Sequence, residues 1–156
     1  MEREIPITTT CPQCGATFPS GETCRERFAT TQMMELEDPA YYAVHHLSVP
    51  CYMLQHKGYS RDGWLAVRQI LHQFVHEGLT PVQARRQNRR MWDGGRRKWS
   101  LIKGTKLTKA DDIVWTRTIP DVRIDTAEHY CADVLEWAIA VLANTESLVK
   151  GLDNKS

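Results

Sequence analysis

Residues 11–16 read Cys-Pro-Gln-Cys-Gly-Ala, the strongest local pattern in the sequence. Two thiolates separated by two residues can bind one cation from a tight turn, and the glycine that follows allows the backbone to reverse. The other interpretation is that two small apolar residues have this spacing by coincidence, but the flanking Pro12 and Gly15 favour a zinc knuckle. We therefore expect zinc as the cofactor, with Cys11 and Cys14 among its ligands.

A structural zinc has four ligands, so two more must come from elsewhere in the chain. Cys24 is the third candidate because it follows the knuckle closely. Two predicted helices joined at Asp38-Pro39 should lie antiparallel, which brings Cys51 and His56 near the level of Cys24. We favour His56, at a helix end, over Cys51, which lies on an apolar stripe; His45 is the remaining alternative.

The knuckle and the second predicted helix resemble an uncharacterised group of bacterial domains of unknown function. The group shares a CPxCGA knuckle, here residues 11–16, and an HxLxVxxYxxQH segment, here residues 45–56. The matched positions are Cys11, Cys14, Cys24, His45, Tyr52, Gln55 and His56. The chain departs at Pro50, often acidic in relatives, and at Lys57, often proline. The resemblance covers about residues 11–60 and implies no activity.

Hydrophobic spacing predicts a mainly α fold, a compact helical bundle with an N-terminal zinc knuckle and an irregular or short β segment near 96–122. The first helix, 22–37, should bury Phe28, Ala29, Met33 and Leu36. The second should start at Asp38-Pro39 and kink at Pro50. Three more helices are predicted after Ser60, from Thr80-Pro81 to about Met91, and after Asp125. The first of these should have an apolar stripe at Trp64, Val67, Leu71, Phe74 and Val75, and the last one at Ala127, Tyr130, Val134, Trp137, Val141 and Leu148.

The length of 156 residues predicts one domain over 1–156, with the knuckle and its flanks in 1–21 and a helical body in 22–150. No apolar run approaches the roughly 20 residues of a membrane span. The first ten residues lack the apolar core of a secretory signal, so we expect a reducing cytoplasm. Five cysteines, three of them within residues 11–24, then indicate metal binding rather than disulfides.

The chain has a basic pole, because residues 85–98 carry a net charge of +6 whereas the whole chain carries +1. Arginine forks and tryptophan faces suit phosphates and unstacked bases. The nucleic-acid candidates are Arg85, Arg86, Arg89, Arg90, Trp92, Arg96 and Arg97. The alternative is a cationic surface helix whose arginines pair with the protein's own acids, including Glu35, Glu37 and Asp38.

No phosphate loop, dinucleotide-binding glycine pattern, zincin motif or serine-nucleophile elbow is present. The leading functional prediction is a zinc-stabilised helical binding or accessory module of unknown ligand. A nucleic-acid-binding protein that uses residues 85–99 is one alternative, and a partner with an acidic surface is another use of the same pole. A metal-dependent enzyme with His45, Tyr52 and His56 in one cleft is the third possibility.

Overall fold

The computed structural model describes residues 8–19, 21–94, 104–107 and 112–153, and the side chains of these residues apart from 88–94 and 153. Two short strands, β1 (Thr9–Thr10) and β2 (Thr17–Phe18), precede the helices. The described helices are α1 (Cys24–Glu37), α2 (Pro39–Tyr42), α3 (His45–Gln55), α4 (Arg61–His76), α5 (Pro81–Gly94) and α6 (Ala127–Asp153). The predicted mainly α class is therefore confirmed. Within 104–107 and 112–122 the backbone is irregular apart from a 3₁₀ turn at Ile119–Asp121.

The N-terminal segment forms a small antiparallel hairpin, which the sequence analysis did not predict. Thr9 lies opposite Phe18, and Thr10 lies opposite Thr17. Strands of two residues are too short to show an alternating pattern, so no periodicity could reveal them. Phe18, which is 3% exposed, anchors the hairpin in the core.

Helix α1 buries a different face from the one its sequence suggests. The predicted apolar face is wrong at Ala29, Met33 and Leu36, which are exposed, the last two at 56% and 77%. Phe28 is half-buried and packs against the core, as predicted. The buried residues are Cys24, Thr31 and Glu35. A polar face can be buried when its groups find hydrogen-bond partners, and Glu35 has several, described below.

The second predicted helix is two helices, α2 and α3, separated at residues 43–44, a break that the sequence analysis did not predict. Its start is as predicted, because Pro39 is the first helical residue and the Asp38 carboxylate accepts a 2.9 Å hydrogen bond from the Ala40 amide. Helix α3 runs through Pro50. A proline inside a helix removes one backbone hydrogen bond, and here the helix continues regardless.

The core forms where α3, α4 and α6 pack together. The apolar stripes predicted for the later helices are confirmed at Trp64 and Leu71 of α4 and at Val134, Trp137 and Val141 of α6, all at most 2% exposed. The Trp64 indole also donates a 3.2 Å hydrogen bond to the carbonyl of Leu54 in α3. None of the helices in the described part of the chain combines the length and the apolar character that crossing a bilayer requires.

Candidate metal centre

Four potential metal ligands meet where the hairpin turn, the start of α1 and the end of α3 come together. They are Cys11, Cys14, Cys24 and His56, and one ligand atom from each lies within 4.8 Å of all the others. The Sγ atoms of Cys14 and Cys24 are 3.5 Å apart. Zinc–sulfur bonds of about 2.3 Å in a tetrahedron place two sulfurs about 3.8 Å apart. The cluster is therefore close to the size that one metal ion needs.

The hairpin turn presents the first two cysteines together. The Cys11 amide donates to the carbonyl of Ala16 at 2.8 Å, and the Gly15 amide donates to the carbonyl of Cys11 at 2.9 Å. Gly15 has φ of +77°, a value that glycine adopts without a steric penalty. The glycine of the knuckle therefore makes the reversal expected of it.

Cys24 is the first residue of α1, and Thr23 caps that helix. The Glu26 amide donates to the Thr23 hydroxyl at 3.2 Å, and the hydroxyl donates to the Glu26 carboxylate at 3.1 Å. The free amide groups of a helix's first turn favour a nearby negative charge such as a thiolate. The cap therefore fixes Cys24 at the start of α1, beside the free amide groups of the first turn.

The ring of His56 is held in one orientation with one nitrogen available. It stacks on Tyr52 at 4.2 Å between centroids, and Tyr52 stacks on Phe28 of α1 at 4.0 Å. Its Nδ1 donates to the carbonyl of Tyr52 at 2.6 Å, because a carbonyl only accepts. Nε2 is left with its lone pair, and among the described residues it is buried without a hydrogen-bond partner. In metal-binding histidines the nitrogen that does not bind the metal typically makes such a hydrogen bond, which fixes the tautomer.

The thiols of Cys14 and Cys24 interact strongly. The hydrogen bond from Cys24, helped by the nearby His56, lowers the pKa of Cys14 to about 4. The same hydrogen bond and burial raise the pKa of Cys24. A cation bound by both sulfurs would take the place of the proton in this hydrogen bond.

The other two candidates for the fourth ligand lie elsewhere. Cys51 is 0% exposed within the hydrophobic core, where burial raises the pKa of its thiol. His45 stacks on Tyr42, and its Nδ1 lies 3.0 Å from Oε1 of Glu35. The structure therefore brings His56, and neither alternative, to the three cysteines.

The cleft of the enzyme alternative, with His45, Tyr52 and His56 together, does not form among the described residues. His45 lines a cavity of about 630 Å³ beside α4 and α5. Tyr52 and His56 line a separate hollow of about 320 Å³ next to Cys11 and Cys24. The spacing of seven and four residues indicated that these three side chains share one side of a helix. Tyr52 instead stacks on Phe28 of α1, and His56 stacks on Tyr52.

The basic pole falls largely outside the side chains that the structure describes. Helix α5 carries Arg85 and Arg86, and both are exposed. Arg89, Arg90, Trp92, Arg96 and Arg97 lie beyond the described side chains. The expectation that Glu35 is a surface partner for these arginines is wrong, because Glu35 is 2% exposed.

Sequence reasoning missed a second polar cluster, which is centred on Glu35. Its carboxylate accepts hydrogen bonds from Gln32 at 2.8 Å, His45 at 3.0 Å, Ser48 at 2.9 Å and Tyr130 at 2.8 Å. Burial and the neighbouring Glu35 raise the pKa of Tyr130, which keeps that hydroxyl a donor. Tyr130 is 95 residues from Glu35 in sequence, so no local pattern could have revealed the contact.

Comparison with known proteins places the chain in a family without giving it an activity. Residues 9–146 match the family of unknown function DUF5946. No curated protein and no solved structure matches the chain significantly. The match includes the hairpin, α1 to α5 and most of α6, and the expected membership of an uncharacterised domain family is confirmed. The chain belongs to DUF5946, a family of unknown function.

Proposed function

We propose that Cys11, Cys14, Cys24 and His56 bind one structural zinc ion, and that the chain acts as a zinc-stabilised helical binding or accessory module. One observation carries the proposal. The four ligand atoms converge within 4.8 Å, and the imidazole nitrogen among them is buried with no hydrogen-bond partner. A buried nitrogen without a partner is costly, and a metal ion would remove that cost.

The donor set favours zinc over other common cations. Three thiolates and one imidazole are soft or borderline ligands, and zinc binds such sets in tetrahedral geometry. Calcium and magnesium take oxygen ligands, which the cluster does not supply. Zinc is therefore the metal that these residues fit best.

The arrangement supports a structural role for the ion. Four protein ligands complete a tetrahedron, whereas a catalytic zinc keeps one position open to water. The ligands also come from three separate elements, the hairpin, α1 and α3. An ion at their meeting point would tie the hairpin to the helical body, so its binding free energy would contribute to folding.

The proposal includes a reducing cytoplasmic location. Thiolate ligands must stay reduced to bind zinc, and the cytoplasm of most cells keeps them so. The five cysteines are free in the structure, in agreement with that requirement.

Metal analysis of the full-length protein tests the proposal directly. Purified under reducing conditions, the protein should contain about one zinc per chain. Replacement of zinc by Co²⁺ should give the visible absorption of a tetrahedral thiolate site. A folded protein without metal would contradict the proposal, and a cobalt spectrum that changes with added small anions would indicate an open position and favour the enzyme alternative instead.

A further inference from the structure

A second site lies on the side of α3 opposite the cysteine cluster. It is a cavity of about 630 Å³ bordered by α3, α4 and the start of α5, and it shares no lining residue with the hollow at the cysteines. Sites for small molecules usually have volumes of about 300–1,000 Å³ and mostly apolar walls. Much of the wall consists of Val49, Pro50, Val67, Ile70, Phe74 and Val82.

The charge on the wall of the cavity has one sign. Arg85 is the only charged residue among the described lining residues, and no acidic side chain lines the cavity. Within the described part of the chain Arg85 has no hydrogen bond or ion pair. The neighbouring His46 packs its ring edge-on against Phe74 at 4.8 Å, and burial followed by the influence of His45 lowers its pKa. Among the described residues, the cavity therefore combines an apolar wall with one cation that has no ionic partner.

His45 presents a second polar group to the cavity in a fixed orientation. Its Nδ1 donates to Glu35, whose oxygens also accept from Ser48 and Tyr130. The other ring nitrogen, Nε2, has no partner among the described residues, and the side chain is 40% exposed. The buried carboxylate accepts a hydrogen bond from Nδ1, so Nδ1 carries the ring proton. Nε2 then has a free lone pair and can accept a hydrogen bond from a ligand.

We propose that this cavity binds a small molecule of the aliphatic monocarboxylate class, with the carboxylate paired to Arg85. A single cation suits a monoanion, and guanidinium and carboxylate groups match in geometry. The apolar chain of the ligand would cover aliphatic walls that are otherwise accessible to water. This site is independent of the proposed zinc ion, so each proposal can fail without the other.

Calorimetric titration with three ligands of equal chain length tests the proposal. The full-length protein is titrated with decanoate, decan-1-ol and decylammonium, which differ only in the head group. Decanoate should bind about tenfold more tightly than decanol, as expected for one hydrogen-bonded ion pair, and decylammonium should bind most weakly. No decanoate binding, or equal binding of decanoate and decylammonium, would overturn the proposal.

A matched pair of variants identifies the anion's partner. Arg85→Gln should weaken decanoate binding about tenfold and leave decanol binding unchanged, because only the charged contact is lost. Arg86→Gln removes the same charge from the next residue, which does not line the cavity, and should change neither affinity. Equal effects of the two variants on decanoate would show general attraction by the basic pole and would contradict the assigned site. Both residues are exposed, and unfolding curves of the two variants should coincide with wild type.

Discussion

Helix α1 has a buried polar cluster near each end, and the two clusters meet their hydrogen-bonding needs in different ways. At the start of α1, Cys24 lies with the other cysteines and His56, and the Nε2 atom of His56 has no partner. Near its end, Glu35 receives hydrogen bonds from four side chains of the protein itself, one of them from His45. Among the described residues, the first cluster leaves a buried nitrogen unpaired, whereas the Glu35 carboxylate of the second has four donors.

Both clusters join α1 to α3 through a histidine of α3. His56 follows the last residue of α3 and faces the start of α1, whereas His45 begins α3 and faces the end of α1. The stack of Phe28 on Tyr52 lies between them. The two helices are therefore antiparallel, as predicted, and an ion would hold one end of the pair while hydrogen bonds hold the other.

The largest effect is expected from the loss of a cysteine in the cluster. Cys14→Ser should abolish stoichiometric zinc binding and lower the free energy of unfolding by more than about 3 kcal/mol, because zinc binding is coupled to folding. Zinc content and thermal unfolding measure the two effects. Cys131→Ser is the matched control, since the Cys131 thiol only donates a 3.3 Å hydrogen bond to the carbonyl of Ala40, which serine can also make. Equal losses of stability would show that the cluster does not hold the fold together.

Substitution of each histidine should distinguish the cluster that binds metal from the cluster that is held by hydrogen bonds. His56→Asn should weaken zinc affinity by at least about a hundredfold, measured by competition with a chelator, because a direct ligand is lost. His45→Asn should leave zinc affinity unchanged and destabilise the fold by about 1–2 kcal/mol through the lost contact to Glu35. A fall in zinc affinity in His45→Asn would contradict the division into two independent clusters.

Replacement of the Glu35 carboxylate should lower the free energy of unfolding less than loss of the metal does, but more than a typical surface substitution does. Glu35→Gln replaces one accepting oxygen with a donor that faces Tyr130, Ser48 or His45, so we expect a loss of about 2–3 kcal/mol in urea unfolding. Glu37→Gln is the control, because Glu37 lies on the same helix and is exposed. Zinc content should stay at the wild-type level in both variants.

The smallest effect is expected from a single donor to Glu35. Tyr130→Phe removes one 2.8 Å hydrogen bond to a carboxylate that keeps three other donors, and should cost about 1–1.5 kcal/mol. Tyr42→Phe is a matched control, since Tyr42 is 48% exposed and its hydroxyl has no hydrogen bond among the described residues. If both variants unfold at the same urea concentration, the buried carboxylate does not depend on Tyr130.

The sequence was informative wherever the signal was local. The cysteine spacing and the glycine of the knuckle predicted a turn that presents two thiols, and the structure contains that turn. Regular apolar spacing predicted the buried faces of α4 and α6 because their core-facing residues are large and hydrophobic. The choice of His56 rested on the rise per residue of an α-helix and on the antiparallel arrangement of the first two predicted helices.

The same reasoning was wrong where burial depends on distant partners. In α1 the exposed residues Met33 and Leu36 are more hydrophobic than the buried Thr31 and Glu35, so an apolar pattern gave the wrong face. The shared cleft of the enzyme alternative does not form because Tyr52 stacks on Phe28 of α1 and His56 stacks on Tyr52. The contact with Phe28 joins two separate helices, so the spacing within one helix could not reveal it.

The sequence by itself determined the mainly helical class, the cysteine turn and the apolar stripes of the later helices, because each depends on residues within a few turns of one another. Only the tertiary structure decided that Glu35 is buried and that the histidines at the two ends of α3 belong to different sites. A charged side chain enters a core only when several donors surround it, and here they come from α1, α3 and α6. Such a set of donors exists only after the helices have packed, so no segment of the sequence contains it.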